Sequence, residues 1–140
     1  MAKEKRFCLQ CDDGTLLEYG EKTSTGEIFG EPYLAENIAG WHCPICGEIE
    51  YAPGTGSAAR VSAAMDAAAA KAKAHAAEKL RNTRRKLKLT QAEAGRLFGG
   101  GASAFSEYER GKTQPHKSTV LLLRLLNKHP ELLNEIRAQS

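Results

Sequence analysis

Four cysteines are the residues of this chain best suited to chemistry, and they come in two pairs, Cys8-Leu9-Gln10-Cys11 and Cys43-Pro44-Ile45-Cys46. A C-x-x-C turn presents two thiolates to one tetrahedral ion, so two such turns complete a shell. The second, CPICG, carries Gly47 behind it, which leaves the N–H groups of the knuckle free to bond sulfur. Catalytic metals keep an open position, whereas four thiolates close the site, so the ion expected here is structural, one per chain. Ligand type and spacing point to Zn2+; iron competes, because the same tetrahedron holds it. Disulfides do not suit a cytosolic chain, and a thioredoxin-like redox pair would use one C-x-x-C in a βαβ setting. His42 could replace a ligand, but four cysteines suffice, and it is expected to face solvent.

A second constellation spans Leu89 to Gly111 and reads as a helix-turn-helix. Thr90 and Glu93 form a capping box, in which each side chain satisfies a free N–H at a helix start, so a helix should begin at Gln91. Ala92, Leu97 and Phe98 give it an apolar side, and Gly99-Gly100-Gly101 stops it. A second helix should start near Ala102. Ala104, Phe105 and Tyr108 mark its buried face, which turns Ser103, Ser106, Glu107 and Arg110 outward, towards a DNA major groove. The basic block Lys79, Arg81, Arg84, Arg85, Lys86, Lys88 leads into this unit as a phosphate-binding flank. Arg84, Arg85, Lys88, Thr90 and Gln91 are therefore assigned to DNA together with the four outward residues. A helical hairpin that touches no nucleic acid is the plainer alternative.

The elements that must position these residues fall into two modules. At 140 residues and 41% hydrophobic, the chain is globular but lean in core material, which suits two small cores better than one. The charge is split too. Residues 1–57 carry 4 Lys+Arg against 10 Asp+Glu, whereas residues 58–140 carry 16 against 7. The acidic part repels DNA and the basic part attracts it, so two different partners are expected. Between the cysteine pairs, Thr15–Tyr19, Glu27–Phe29 and Tyr33–Ile38 read as short strands separated by Gly14, Gly20, Gly26, Gly30 and Pro32. Pro53–Ser57 reads as a linker. The Ala-rich stretch that follows should be helical, with a thin apolar side of Val61, Met65, Ala69, Ala72, Ala76 and Leu80; His75 is expected to be exposed. Lys117-Ser118-Thr119 opens a helix whose Val120, Leu121, Leu122, Leu123, Leu125 and Leu126 are too apolar for a single wet side. Part of that surface calls for a second subunit. Pro130 begins a last helix with Leu132, Leu133 and Ile136 facing inward. The expected fold class is α+β in two domains: a small zinc-clipped β-rich domain with its linker (1–57), an Ala-rich spacer helix (58–77), and an all-α, five-helix domain (78–140). The start, MAKEKRF, has no apolar core of a leader, and no run of about 18 apolar residues occurs, so a cytoplasmic protein without a membrane partner is expected.

The end of the chain, LTQAEAGRLFGGGASAFSEYERGKTQPHKSTVLLLRLLNKHPELLNEIR, closely resembles the helix-turn-helix domain of the MqsA family of antitoxins, and the two C-x-x-C pairs resemble that family's zinc domain. The GGG turn, AFSEYERG, QPH and HPELLNEIR are the most specific strings. The resemblance implies a type II antitoxin. It implies a homodimer joined through the C-terminal domains, double-stranded operator DNA read by both recognition helices, and a zinc domain that binds and neutralises a small ribonuclease toxin. Cys8, Cys11, Cys43 and Cys46 match the family's ligands one for one. Two departures stand out. Where the family reads bases with an asparagine and, four residues on, an arginine, this chain has Ser103 and Glu107, which implies a different operator, because glutamate only accepts hydrogen bonds. A proline before the first DNA-binding helix is also missing, with Ala76 and Ala77 in its region, which implies a stiffer connection. The rival reading keeps the DNA half and drops the toxin: a free-standing transcriptional regulator whose zinc domain binds another protein. An enzyme would need a base, a nucleophile beside it or an open metal position, and no such set stands out.

Overall fold

The computed structural model describes residues 4–140. The chain forms two compact units, one ending at Ala72 and the other spanning Lys73–Ser140. The division falls inside a helix.

The first unit is built on an antiparallel sheet of β1 (Glu18–Ile28), β2 (Glu31–His42) and β3 (Ile49–Tyr51), in the order β1-β2-β3. The long hairpin replaces the separate short strands expected from the glycines. Gly20 and Gly26 lie within β1, and Gly26 is a place of close approach: a Cβ there would stand 2.8 Å from the Tyr33 ring. Gly40 is tighter still, with the Glu50 carbonyl oxygen 2.4 Å from where its Cβ would be. Phe29 and Gly30 make the two-residue turn, both at positive φ (52° and 84°), as a primed hairpin turn requires. Where the register shifts between Lys22 and Ser24, β2 carries an extra residue, and Asn37 takes φ 58°. Arg60 closes this bulge by donating to the Asn37 carbonyl.

Helix α1 (Ser57–Lys86) packs its first turns on the sheet, burying Val61 with Ala35 and Ile38 against Tyr33, Ile49, Tyr51 and Met65. Pro53–Ser57, expected as a linker, is a pinned turn instead. Ser57 is 1% exposed, and its Oγ accepts the Ala39 N–H at 2.9 Å, satisfying a buried backbone donor.

The second unit takes the end of α1, then α2 (Gln91–Phe98), α3 (Ala104–Glu109), α4 (Lys117–Lys128), a 3-10 turn (Pro130–Leu132) and α5 (Leu133–Gln139). Its core gathers Leu80, Leu87, Leu89, Ala94, Phe105, Leu123, Leu126 and Leu133. Phe105 is fully buried, its ring 6.0 Å from Phe98 and 5.5 Å from Tyr108. The α+β class stands. Three boundaries differ from expectation. The second helix of the expected helix-turn-helix, α3, starts at Ala104, not Ala102, because Ala104 N–H turns back to the Gly101 carbonyl; Pro130 opens a single 3-10 turn before α5; and α1 runs unbroken from Ser57 to Lys86, so the spacer has no ends of its own. Leu126, expected as a candidate for a subunit contact, is covered by its own unit, while Leu121, Leu125 and Leu132 remain exposed. Among the described residues, no helix is long and apolar enough to cross a membrane.

Candidate metal centre and nucleic-acid interface

The two knuckles converge. Cys8 Sγ lies 3.5 Å from Cys46 Sγ and Cys11 Sγ 3.8 Å from Cys43 Sγ, and all four sulfurs lie within 4.8 Å of one another. Sulfurs about 2.3 Å from a central zinc form a tetrahedron with edges of about 3.8 Å, so the set fits one ion. A disulfide would need about 2.05 Å, and all four thiols are free. Each knuckle turns the same way. The residue after its second cysteine sits at positive φ, Asp12 at 48° and Gly47 at 79°, and backbone N–H groups then point at sulfur: Cys11 N–H to Cys8, Ile45 and Cys46 N–H to Cys43. Those donors favour charge on Cys43. The Cys46 N–H, helped by Ile45, holds its thiol down to about 6, while hydrogen bonding to Cys46, with burial, pushes the Cys11 thiol well above the usual thiol range. Charge is therefore favoured on Cys43 over Cys11.

The neighbouring bridge Phe7–Leu16 and the bond from Cys8 N–H to the Thr15 carbonyl (2.8 Å) clip the first knuckle, as Cys43 N–H to the Glu48 carbonyl (2.8 Å) clips the second. Arg6 caps this end, its guanidinium 3.7 Å over the Trp41 ring and paired with Glu50. His42 is not solvent-facing as expected. It is buried, and its Nε2 lies 3.0 Å from the Ile38 carbonyl and 3.2 Å from the Gly20 carbonyl, so the imidazole ties β1 to β2 rather than approaching the metal as a ligand.

In the second unit, α2 opens on the expected capping box: Glu93 N–H donates to Thr90 Oγ1 at 3.1 Å, and Thr90 N–H donates to Glu93 at 3.0 Å. Gly99, Gly100 and Gly101 all take positive φ. A further glycine went unnoticed in the sequence. A Cβ at Gly95 would stand 1.9 Å from the Gly101 carbonyl oxygen, so α2 can meet the turn only without a side chain there. The face of α3 carries Ser103 and Arg110, both exposed, with Ser106 and Glu107 half-buried; their spacing of three and four residues keeps them on one side. Thr90, Arg85 and Lys88 are exposed.

Two residues expected at DNA from the sequence, Arg84 and Gln91, are engaged inside the unit. Arg84 forks onto the Glu109 carboxylate (Nη2 to Oε1 2.8 Å, Nε to Oε1 3.1 Å) and donates from Nη1 to the Leu89 carbonyl at 2.9 Å. Gln91 donates its amide to Glu109 Oε2 at 2.7 Å. The reason is Glu109, whose side chain is 0% exposed and which therefore draws every nearby donor. The signal was present in the sequence: Glu109 stands four residues after Phe105, on the buried face, where a carboxylate needs partners.

The chain matches the family model described as the antitoxin component of the bacterial toxin–antitoxin system, MqsA, over residues 5–137. It belongs to the MqsA antitoxin family. A curated relative, antitoxin MqsA of Escherichia coli (strain K12), is 41% identical over 130 residues, covering 93% of this chain and 98% of the relative. As an MqsA-family chain, it is an antitoxin of a toxin–antitoxin system, and the clustered cysteines and the α+β architecture agree with the resemblance drawn from its motifs.

Proposed function

We propose that this antitoxin works through two partners, binding and neutralising a small ribonuclease toxin through its acidic, metal-clipped unit and repressing its own operon through the helix-turn-helix unit. The observation that carries the DNA part is the capped α2, the glycine turn that Gly95 makes possible, and the polar face Ser103, Ser106, Glu107 and Arg110 on α3. Zinc is the ion proposed for Cys8, Cys11, Cys43 and Cys46. When bound it supplies structural cross-linking and no reaction, because four thiolates leave no position for a substrate. Arg85 and Lys88 serve as phosphate contacts beside Thr90, and the half-buried Glu107 accepts from a base edge such as cytosine N4. Exposed Leu121, Leu125 and Leu132 supply the homodimer contact, the last two lining an apolar groove with Leu97, Leu122 and Ile136. Free thiols that can gather around one metal suit the reducing cytoplasm.

The test pairs the protein with the product of the reading frame adjoining its gene and with the DNA upstream of it. The expected result is a stable complex in which a ribonuclease activity of the neighbour is lost, and retarded migration of the upstream DNA at protein concentrations that leave a random duplex free. A neighbour that neither binds nor cleaves RNA overturns the toxin part; equal affinity for both duplexes overturns the operator part.

A further inference from the structure

We propose that Glu109 is a positioning residue for DNA reading: its buried carboxylate sets the orientation of the recognition helix α3 against α1 and α2, and thereby the sequence preference of the protein. The proposal rests on the reading of α3 as the DNA-facing helix. With six residues, α3 has fewer than two turns and little length with which to hold its own direction. Its two ends are fixed separately. At the start, Ala104 packs under the glycine turn, where a Cβ on Gly100 would stand 2.7 Å from the Ala104 Cβ. At the end, Glu109 collects donors from three directions. Arg84, near the end of α1, reaches Oε1 with both Nε and Nη2; Gln91, the first residue of α2, reaches Oε2; and Arg81, one turn before Arg84, stands 3.6 Å from Oε1. Arg84 also holds the Leu89 carbonyl, in the short connection between α1 and α2.

One carboxylate thus joins the end of α3 to both helices that precede it. Glutamate is needed for this rather than a residue of similar size. Both of its oxygens accept, whereas glutamine at 109 would accept on one side only: its N–H2 group would either meet Arg84, donor against donor, or face Gln91, whose amide would have to turn over to accept. An apolar residue would fill the space and leave rotation about the α3 axis to packing alone. A buried, directional set of bonds adds little stability over an apolar core but selects one arrangement among several of similar energy.

A structural role alone and a positioning role give different results. Glu109→Gln and Arg84→Lys are compared with the wild-type protein at a temperature well below each melting point, on the upstream DNA and on a random duplex of equal length. Arg84→Lys keeps the charge and loses the fork. The positioning role predicts that Glu109→Gln loses about tenfold or more of its preference for the upstream DNA, the size of a mismatched base pair, while its affinity for the random duplex holds or rises as Arg84 and Arg81 are released. Arg84→Lys falls between Glu109→Gln and wild type. A purely structural role predicts a lower melting point with the preference intact, and that result overturns the proposal. If Glu109→Gln does not fold, Arg84→Lys decides by the same ratio: a phosphate contact at Arg84 would weaken both duplexes alike and also overturn it. A wild-type protein without preference for the upstream DNA defeats the reading of α3 and the proposal together, whereas preference retained in both variants defeats the proposal alone.

Discussion

Lys88 should be replaceable by glycine with a gain in stability, even though it sits where a cation would serve DNA binding. Helix α1 ends in a Schellman arrangement: Leu89 N–H reaches the Arg84 carbonyl at 3.2 Å and Lys88 N–H the Arg85 carbonyl at 3.0 Å, with Lys88 itself at φ 57°. A side chain in that left-handed region costs about 1–2 kcal/mol. Glycine escapes the cost but gives up roughly 0.4–1 kcal/mol of extra freedom in the unfolded chain. The midpoints of the two ranges leave Lys88→Gly more stable by about 0.8 kcal/mol, or roughly 3–6 °C for a unit of this size. Lys88→Ala keeps the backbone strain and should show no such gain. Thermal melts followed by far-ultraviolet circular dichroism report the helices, most of which lie in the second unit, while the fluorescence of the single tryptophan, Trp41, reports the first. Salt titrations of DNA binding separate the second role: if Lys88 neutralises one phosphate, both substitutions should flatten the slope by about one ion. A Lys88→Gly protein no more stable than Lys88→Ala would refute the strain argument, and an unchanged slope would refute the phosphate contact.

Other substitutions probe the remaining joints. Gly95→Ala drives a methyl group into the Gly101 carbonyl and should cost about 3 kcal/mol, with loss of DNA binding, as read by denaturant titration; a near-neutral result would mean that the turn can shift freely. Metal uptake should release fewer than four protons at pH 7.5, because the Cys43 thiol, held down to about 6, has already given up its own. Below pH 6 that proton must also be displaced, so the number released should rise, measurable by calorimetry in buffers of different ionisation enthalpy; equal proton counts at pH 5 and pH 7.5 would count against the assignment.

What could be read from the sequence was what neighbouring residues decide among themselves. The capping box of Thr90 and Glu93, the stop at Gly99, and the knuckle with Gly47 behind Cys46 all depend on contacts a few residues apart, and each appears as expected. The glycines of β1 misled for a physical reason. A glycine that breaks a strand and one that admits a Tyr33 ring across the hairpin look the same until the partner strand is known. His42 and Ser57 were misread likewise, and the bond from Arg84 to Glu109 was not visible. Each bonds a residue 18 or more positions away or answers a buried backbone group that only the folded chain creates. The identity of Glu109's partners belongs to the same kind: spacing from Phe105 marks it as buried, and only the packed helices say which cations answer it.

The middle of α1 has a consequence for how the chain meets solvent protons and proteases. From Lys71 to Lys79 no residue is buried, so this stretch belongs to neither hydrophobic core. No buried apolar side chain supports its backbone bonds, and the helical preference of alanine contributes only fractions of a kilocalorie per residue. Amide exchange should therefore run faster here than at Val61 or Leu80 in the same helix, since opening these turns exposes almost no apolar surface. The Lys71, Lys73 and Lys79 peptide bonds then become the places where a trypsin-like protease first cuts an otherwise folded chain.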